Sequence, residues 1–477
     1  MMQPKPKTPL LLFNTETRQI ETIAPFDQNC FRLYTCGPTI YDFAHIGNFR
    51  TYVFEDLLRR TLRFFGYRVI QTMNITDVDD KTIRGAIQKK CSLNEYTEPF
   101  RKAFFEDLGT LHIERAEHCP AATDYIPEMI HLIETLIAKG CAYKSQNGSI
   151  YFKIKSFPSY GRLSHLHLDE LLVNASGENE SDEYDKENIA DFVLWKAYDP
   201  SRDGSIFWES PFGPGRPGWH IECSAMAMKL LGETIDIHCG GVDNIFPHHE
   251  NEIAQSESYS GHRFVRHWVH VEHLIVDHKK MSKSLNNFYT LRDLLNRGYT
   301  GAQVRYLLLS THYRMQLNFT LRGLDAAKAS LQRLEDLIIR LQEIDTNGSG
   351  DGIGELLSSA DKGFCQALID DMNISAALAV LFDLVRELNT LSDANYLSQS
   401  DAQKALALLK KWDEVLGVLP FDQEETIPHE LQALLQRREE ARQTKNYPLS
   451  DQLRKEILER GYLIEDTSSG ARLKKKR

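Results

Sequence analysis

The chain gathers three metal-ligand residue types in one short stretch. Residues 218–252 read GWHIECSAMAMKLLGETIDIHCGGVDNIFPHHENE and contain Cys223, His248 and Glu252. A thiolate, an imidazole and a carboxylate are donors that suit zinc. His248 and Glu252 are four residues apart. Pro247 has the fixed φ of a first helical residue, so a helix starting there carries both on one face. A fourth donor has to come from elsewhere. Cys36, at the end of the apolar run FRLYTC, is the candidate. Buried free cysteines are common and a His–Glu pair is usually a surface pair, so these residues alone leave a purely structural reading open.

Two further segments carry groups suited to phosphate. HIGN sets His45 and Asn48 at the mouth of a helix, where N–H groups and the helix dipole favour anionic oxygen. A loop histidine without a task fits those four residues as well. KKMSKSLNN, residues 279–287, sets Lys280 and Lys283 three apart between serines. That is a flexible cationic clamp or, equally, a solvated basic loop. Gly240 and Gly241 end the run TIDIHCGG and let backbone approach a ligand closely. NITDVDDK, residues 74–81, offers Asp79 or Asp80 as a helix N-cap.

These groups need a scaffold, and the periodicity describes one. Residues 31–36 read as a buried strand. From His45 the period is helical, with Val53, Leu57, Leu58, Leu62 and Phe65 on one stripe and Gly66 as a stop. YRVIQTMNIT is a second strand. Strand, turn, helix, strand is half of a doubly wound α/β fold, whose ligands bind at the carboxyl ends of strands. TIDIHCGG and HWVHVEHLIV read as strands of the other half. Residues 91–145 are mostly helical in pattern, and 150–175 read as short strands and loops. The acidic run 174–188 has no apolar period and reads as a mobile surface loop. From 318 the pattern is again helical. Leu331, Leu334, Ile338 and Leu341 form one stripe, Leu378, Leu381, Val385 and Leu388 another, and Leu406, Leu409 and Leu416 a third. This is an antiparallel bundle with a loop at 347–352. After Pro420 come a linker, a helix with RREEAR, and a helix, glycine stop and short strand, ending in the basic tail GARLKKKR.

The totals narrow the classes. With 477 residues the chain is long enough for about two to four domains. No apolar run approaches membrane-spanning length, so no membrane partner is expected. Eight cysteines without CxxC spacing fit a reducing, cytoplasmic setting. A net charge of −11 argues against indiscriminate binding to polyanions, and leaves nucleic-acid binding to local basic surface.

HIGN followed by KMSKS, on two halves of an α/β domain, resembles the signature pair of class I aminoacyl-tRNA synthetases. GWHIECSAM, DIHCGG and FPHHENE narrow the resemblance to the cysteinyl-tRNA synthetase family, bacterial type. YTCGPTIYD, NITDVDDK, DFVLWK and DQLRKEILERG followed by EDT look like that family too, so the resemblance spans nearly the whole chain. It implies ATP-dependent ligation of L-cysteine to tRNA(Cys) through a cysteinyl adenylate, with ATP–Mg2+ as substrate. It implies one Zn2+ per chain, held by Cys36, Cys223, His248 and Glu252, that selects cysteine. His45 and Asn48 match the first and last positions of the HIGH motif, and Lys280 and Lys283 the KMSKS lysines. Those four, with Gly37, Gly240, Gly241 and Asp243, are expected on ATP. Thr76, Trp219 and His238 are expected in the amino-acid pocket. The expected domains are a Rossmann-like catalytic domain in two halves, 1–115 and 206–275, around a connective insertion, 116–205. Then come the KMSKS loop and stem-contact region, 276–317, a helical bundle, 318–420, and an anticodon-recognition domain, 421–477. A monomer is expected.

The sequence departs from the pattern in three places. Asn48 replaces the last histidine of HIGH, Asn286 stands where glycine is usual, and Leu473 where an aromatic is common. The last leaves base stacking there in doubt. Two rival readings are a ligase that transfers cysteine to a sugar amine and a retired synthetase that only binds RNA. Relatives of the first kind usually lack the last domain, which residues 421–477 supply. The second predicts eroded signature lysines, and Lys280 and Lys283 are both present.

Overall fold

In a computed structural model of the chain, the described residues are 8–27, 29–166, 178–179, 191–282, 285, 287–345, 353–421, 429–467 and 470–475. Lys283, Asn286, the loop at 347–352 and all of 174–188 except 178–179 lie outside them.

Near-continuous apolar runs favour strands covered on both faces, and the core sheet is built from four of them. They are β1 (Cys30–Thr35), β2 (Arg68–Met73), β3 (Ile235–Gly241) and β4 (Val265–Val271). Their order is β4-β3-β1-β2 and every pairing is parallel. The chain leaves β1 for one edge and β3 for the other, so a crevice opens at their carboxyl ends. Cys36 stands at this switch point, its N–H donating to the Cys239 carbonyl at 3.3 Å. Helix α1 (Ile46–Phe64) follows β1, and α2 (Asp80–Lys89) follows β2 with Asp79 as its N-cap. Helices α3 (Trp219–Leu231) and α4 (Glu250–Ser260) flank β3 in sequence.

Within a kinked turn, Ile245–His249, the chain breaks at Phe246, extended at φ −139° and ψ 131°, because a residue before proline is pushed out of the helical region. Pro247 follows the break and the chain winds on through His248 and His249 into α4. One local expectation is corrected. The run HWVHVEHLIV is not one strand. β4 ends at Val271, and Leu274–Val276 joins a second sheet with Lys279–Lys280 and Leu317–Phe319.

Between the two halves, Ala142–Lys144, Ile150–Phe152, Asp191–Ala197 and Gly215–Pro217 make a separate sheet, with Glu178–Asn179 along its edge. Asp80, at the start of α2, binds this sheet to the core by pairing with Lys196 at 2.8 Å and with Arg216. The bundle has four helices, Leu321–Gln342, Ile353–Ile369, Ile374–Asp393 and Gln399–Leu416. The second was missed in sequence, because glycines and serines thin its apolar stripe to Ile353, Leu357, Phe364, Ala367 and Leu368. At the C-terminus, helices His429–Gln443 and Tyr447–Glu459 pack beside an antiparallel pair, Tyr462–Thr467 and Gly470–Lys475. The basic segment is therefore one strand of a hairpin, and Leu473 is buried against Leu431, Leu434, Leu453 and Ile457. No helix among the described residues is long and apolar enough to cross a membrane.

A buried cation joins the catalytic core to the bundle. Arg305 is fully buried and meets Asp56 of α1 at 2.6 Å. Its other nitrogens donate to the carbonyls of Leu416 at 2.7 Å, Leu111 at 3.1 Å and His112 at 3.2 Å. Removing one partner of such a pair leaves a charge without compensation. Asp56→Ala is expected to lower the unfolding free energy by about 3–5 kcal/mol in urea titration. A loss of only about 0.5 kcal/mol, the range of an ordinary surface change, would show that the carbonyls alone satisfy the guanidinium.

Candidate active site

Four elements deliver four donors to the floor of the crevice. Cys36 comes from the end of β1, Cys223 from α3, His248 from the kinked turn and Glu252 from the first turn of α4. All four are buried, and their ligand atoms lie within 4.8 Å of one another. His248 Nε2 meets Glu252 Oε1 at 3.0 Å, as the four-residue spacing requires. His248 Nδ1 meets His220 Nδ1 at 2.9 Å, and Trp219 covers the His248 ring at 4.2 Å between centroids.

The cluster sorts its protons. Burial pushes the Cys36 thiol well up, and its hydrogen bond to Cys223 keeps the proton there. Burial acts on Cys223 in the same direction, but the hydrogen bond from Cys36 and the charge of His248 bring that thiol down to about 6. Burial opposes a charge on His248, yet Cys223 and Glu252 hold it up at about 10. Glu252 stays below the usual carboxylate range against its burial because His238 and His248 face it. Burial and neighbouring histidines keep His220 and His249 low, and burial with His238 takes His270 down to about 3. The site thus packs anionic donors against imidazole rings, an arrangement in which a metal ion replaces protons.

A second donor set overlaps the first. Cys36, His238, His249 and Glu252 also bring their ligand atoms within 4.8 Å. His249 Nε2 is 3.3 Å from Cys36 Sγ, and His238 Nε2 is 3.0 Å from Glu252 Oε2. His249 was not singled out in sequence. Its only signal there is its place beside His248 in PHHENE.

The opposite wall of the crevice is built on the start of α1. His45 is its N-cap: Asn48 N donates to His45 Nδ1 at 3.2 Å, and His45 N donates to Asn48 Oδ1 at 3.1 Å. The asparagine that replaces histidine thus completes a capping box with its oxygen. The backbone of His45 bridges to Thr290, and Ile46 N donates to Tyr289 O at 3.0 Å. Those contacts tie HIGN to the segment after KMSKS. At Gly47 a Cβ would stand 3.2 Å from Met281 Cε, so glycine lets the two motifs close up.

The cleft between these walls has a volume of about 1550 Å³. Cys36, Gly37, Trp219, Cys223 and His248 line its base, and His45, Asn48, Gly241, Asp243 and Lys280 line its sides. Lys280 is exposed, in a strand paired with Ile275. Thr76, His238 and Gly240 are buried beside it. Gly240 leaves room for His249, whose Cε1 would be 2.8 Å from a Cβ there. A buried hydrogen-bonded chain runs from Gly37 N to Asn74 Oδ1 at 2.9 Å, from Asn74 Nδ2 to Thr76 Oγ1 at 3.2 Å, and from Thr76 Oγ1 to Glu222 Oε2 at 2.8 Å. Glu222 is a further residue that sequence reasoning missed.

A doubly wound sheet with HIGN at one helix start and Met281 beside it is the architecture of the class I aminoacyl-tRNA synthetases. The fold is similar to that of Mycobacterium tuberculosis methionyl-tRNA synthetase in complex with methionyl-adenylate, with a TM-score of 0.60 over 81% of this chain and 89% of that one, at 14% identity. Family profiles match along the length: a class I (C) tRNA synthetase catalytic domain at residues 22–329, a DALR domain at 363–420 and a cysteinyl-tRNA ligase anticodon binding domain at 424–472. The chain is 62% identical over 468 residues to the cysteine–tRNA ligase of Protochlamydia amoebophila, covering 98% of each. It is 56% identical over 480 residues to that of Chlamydia trachomatis serovar A, covering 98% of this chain and 99% of the relative. The chain belongs to the cysteinyl-tRNA ligase family of class I synthetases.

Glu222 is fully buried and its other carboxyl oxygen, Oε1, has no hydrogen-bond partner. Thr76→Val keeps the shape and removes the hydroxyl, leaving the carboxyl with neither oxygen bonded. It is expected to cost about 1–3 kcal/mol of stability in denaturant titration. Unchanged stability would mean that the Thr76–Glu222 bond does not hold the base of the cleft together.

Proposed function

We propose that the chain ligates L-cysteine to tRNA(Cys) in two steps, using ATP–Mg2+ and passing through a cysteinyl adenylate. The observation that carries this reading is the cleft itself. One end is a buried cluster of sulfur, imidazole and carboxylate donors, and the other holds both class I signatures. Family membership, at 62% identity over nearly the whole chain, supports it.

The donor set fits Zn2+: two thiols, one imidazole and one carboxylate, all buried and within 4.8 Å. Cys36, Cys223, His248 and Glu252 would hold one ion per chain. When bound, zinc would supply a preference for a thiolate over the hydroxyl of serine. The remaining chemistry belongs to the chain's own groups. Trp219, packed against His248, shields the side-chain end of the cleft from water. With Thr76 and His238 it serves the amino-acid pocket. The amide NH2 of Asn48 keeps its donors for phosphate, because its oxygen is engaged at His45 N. His45, Asn48, Lys280 and Lys283 stabilise the charge that develops as the cysteine carboxylate attacks the α-phosphate and pyrophosphate leaves. Gly37, Gly240, Gly241 and Asp243 serve the nucleotide, Gly240 by letting the backbone at that point close up on His249. A ribose hydroxyl of the terminal tRNA adenosine then attacks the carbonyl carbon of the adenylate; the mixed-anhydride bond breaks, AMP leaves and the hydroxyl proton is released. Eight free cysteines are consistent with a reducing cytoplasm, and we read the chain as a monomer.

In the proposed division of labour, residues 421–477 read the anticodon, residues 276–317 and the bundle at 318–420 contact the tRNA stem, and the sheet between the catalytic halves is the connective insertion. Truncation after Pro420 is therefore expected to spare cysteine-dependent pyrophosphate exchange. It is expected to weaken tRNA charging, through a higher KM for tRNA, and to flatten the salt dependence of tRNA binding. Equal charging by the truncated and full-length proteins would remove the anticodon role from this segment. Failure of the full chain to charge tRNA would favour transfer to a different acceptor.

A further inference from the structure

Beside the donor cluster, a hydrogen-bonded chain of side chains runs from the surface to a sulfur. Thr15 Oγ1 is 2.7 Å from His270 Nδ1. His270 Nε2 is 2.8 Å from His249 Nδ1. His249 Nε2 is 3.3 Å from Cys36 Sγ. His249 and His270 are buried and Thr15 is partly exposed. Trp268 stacks on His270 at an interplanar angle of 6° and packs against His249 at 5.1 Å between centroids, so both rings are fixed. Gly240 provides the space for His249. His238, on the other side of the cluster, has no such relay, for its Nδ1 has no hydrogen-bond partner.

The polarity of this chain follows from its end. A sulfur that ligates a metal carries no proton, so it can only accept from His249 Nε2–H. His249 Nδ1 must then accept from His270 Nε2–H, and His270 Nδ1 must accept from the Thr15 hydroxyl. A neutral imidazole donates at one nitrogen and accepts at the other, so every bond in the sequence is satisfied in one direction only. Such a donor has a physical task. Two thiolates and a carboxylate around a divalent cation leave one net negative charge in a buried place, and an N–H aimed at a sulfur offsets it.

We propose that His249 and His270 are positioning residues of the metal site, with His270 holding His249 in the tautomer that gives its Nε2–H to Cys36. This rests on the reading of Cys36, Cys223, His248 and Glu252 as metal ligands. It makes His249 an outer partner of the site and not a ligand, although it belongs to the overlapping donor set. Thr15, distant in sequence and outside the cleft, ends the relay, its hydroxyl donating to His270 in the direction that the sulfur imposes.

The test uses the full-length protein loaded with Co2+ and with Zn2+. His270→Ala is expected to lower metal affinity by roughly 10- to 100-fold in competition with a chelator. It is also expected to move the sulfur-to-cobalt charge-transfer band to longer wavelength, because the sulfur loses its donor. His270→Gln, which can still present an N–H to His249, is expected to restore most of both. Thr15→Val, which removes only the terminal hydroxyl, is expected to shift both in the same direction by less. Nitrogen-15 NMR of the wild-type zinc protein is expected to find the His249 proton on Nε2. A proton on Nδ1, or a His270→Ala protein with unchanged affinity and band, would overturn the inference. Loss of metal in His249→Ala as complete as in Cys36→Ser would make His249 a ligand and overturn it too. Wild-type protein that takes up neither metal would instead remove the metal reading on which the inference stands.

Discussion

Crowding several ionisable donors into a buried place is the constraint on which the rest of this molecule depends. Two like charges about 4 Å apart repel by about 4 kcal/mol even at an effective dielectric constant near 20. Cys36, Cys223 and Glu252 would all be anions as metal ligands, and all are buried. The chain therefore surrounds them with imidazoles. His248 faces Glu252 directly, His238 faces its other oxygen, and His249 faces Cys36. One segment supplies only His248, His249 and Glu252. The others come from the end of β1, from within β3 and from α3, which the doubly wound sheet brings to one crevice. The parallel sheet is thus the device that lets donors distant in sequence share one small volume.

The other half of the active cleft depends on α1. Its first turn presents His45 and Asn48, locked to each other by a capping box. Two residues on, Arg50 is buried and donates to the carbonyls of Leu308, Thr311 and His312. A turn and a half later, Asp56 receives Arg305, which also holds the end of the bundle at Leu416. One helix thus carries the HIGN wall of the cleft and anchors the helical domain. The segment 312–314 is held in turn by Asp371 of the bundle through Tyr313 and Arg314. Arg50 and Asp56 of α1 are buried because they connect the catalytic core to the helical region, whereas Arg59 is buried against Gln71, Glu114 and Glu117.

Much of this was legible in the sequence where pattern and chemistry coincide. The strand ending at Cys36, the helix from His45 and the cap at Asp79 follow from hydrophobic period and turn chemistry, because local rules decide them. The four donors were legible as residue types, and their meeting in space followed once the doubly wound order was accepted. What escaped was decided by tertiary context. The extended break at Phe246, just before Pro247, carries no pattern signal of its own. His249, His270 and Glu222 carry no spacing signal, because their partners are Cys36, Thr15 and Thr76, far away in the chain. Leu473 read as a lost stacking platform, yet it closes the small C-terminal core. Thr76 and His238 were legible only through the resemblance, because their partners, Glu222 and Glu252, are distant in the chain.

The central claim is that this chain activates cysteine at a metal-dependent site. Pyrophosphate exchange with ATP, run with cysteine and with serine on the same preparation before and after metal removal, tests it most directly. The account predicts exchange with cysteine favoured over serine by a factor on the order of 10⁴, beyond the roughly 10- to 200-fold that fit to one small group supplies. It also predicts loss of the cysteine reaction on metal removal and its return with Zn2+. Exchange that persists unchanged without metal, or that accepts serine nearly as well as cysteine, would contradict it.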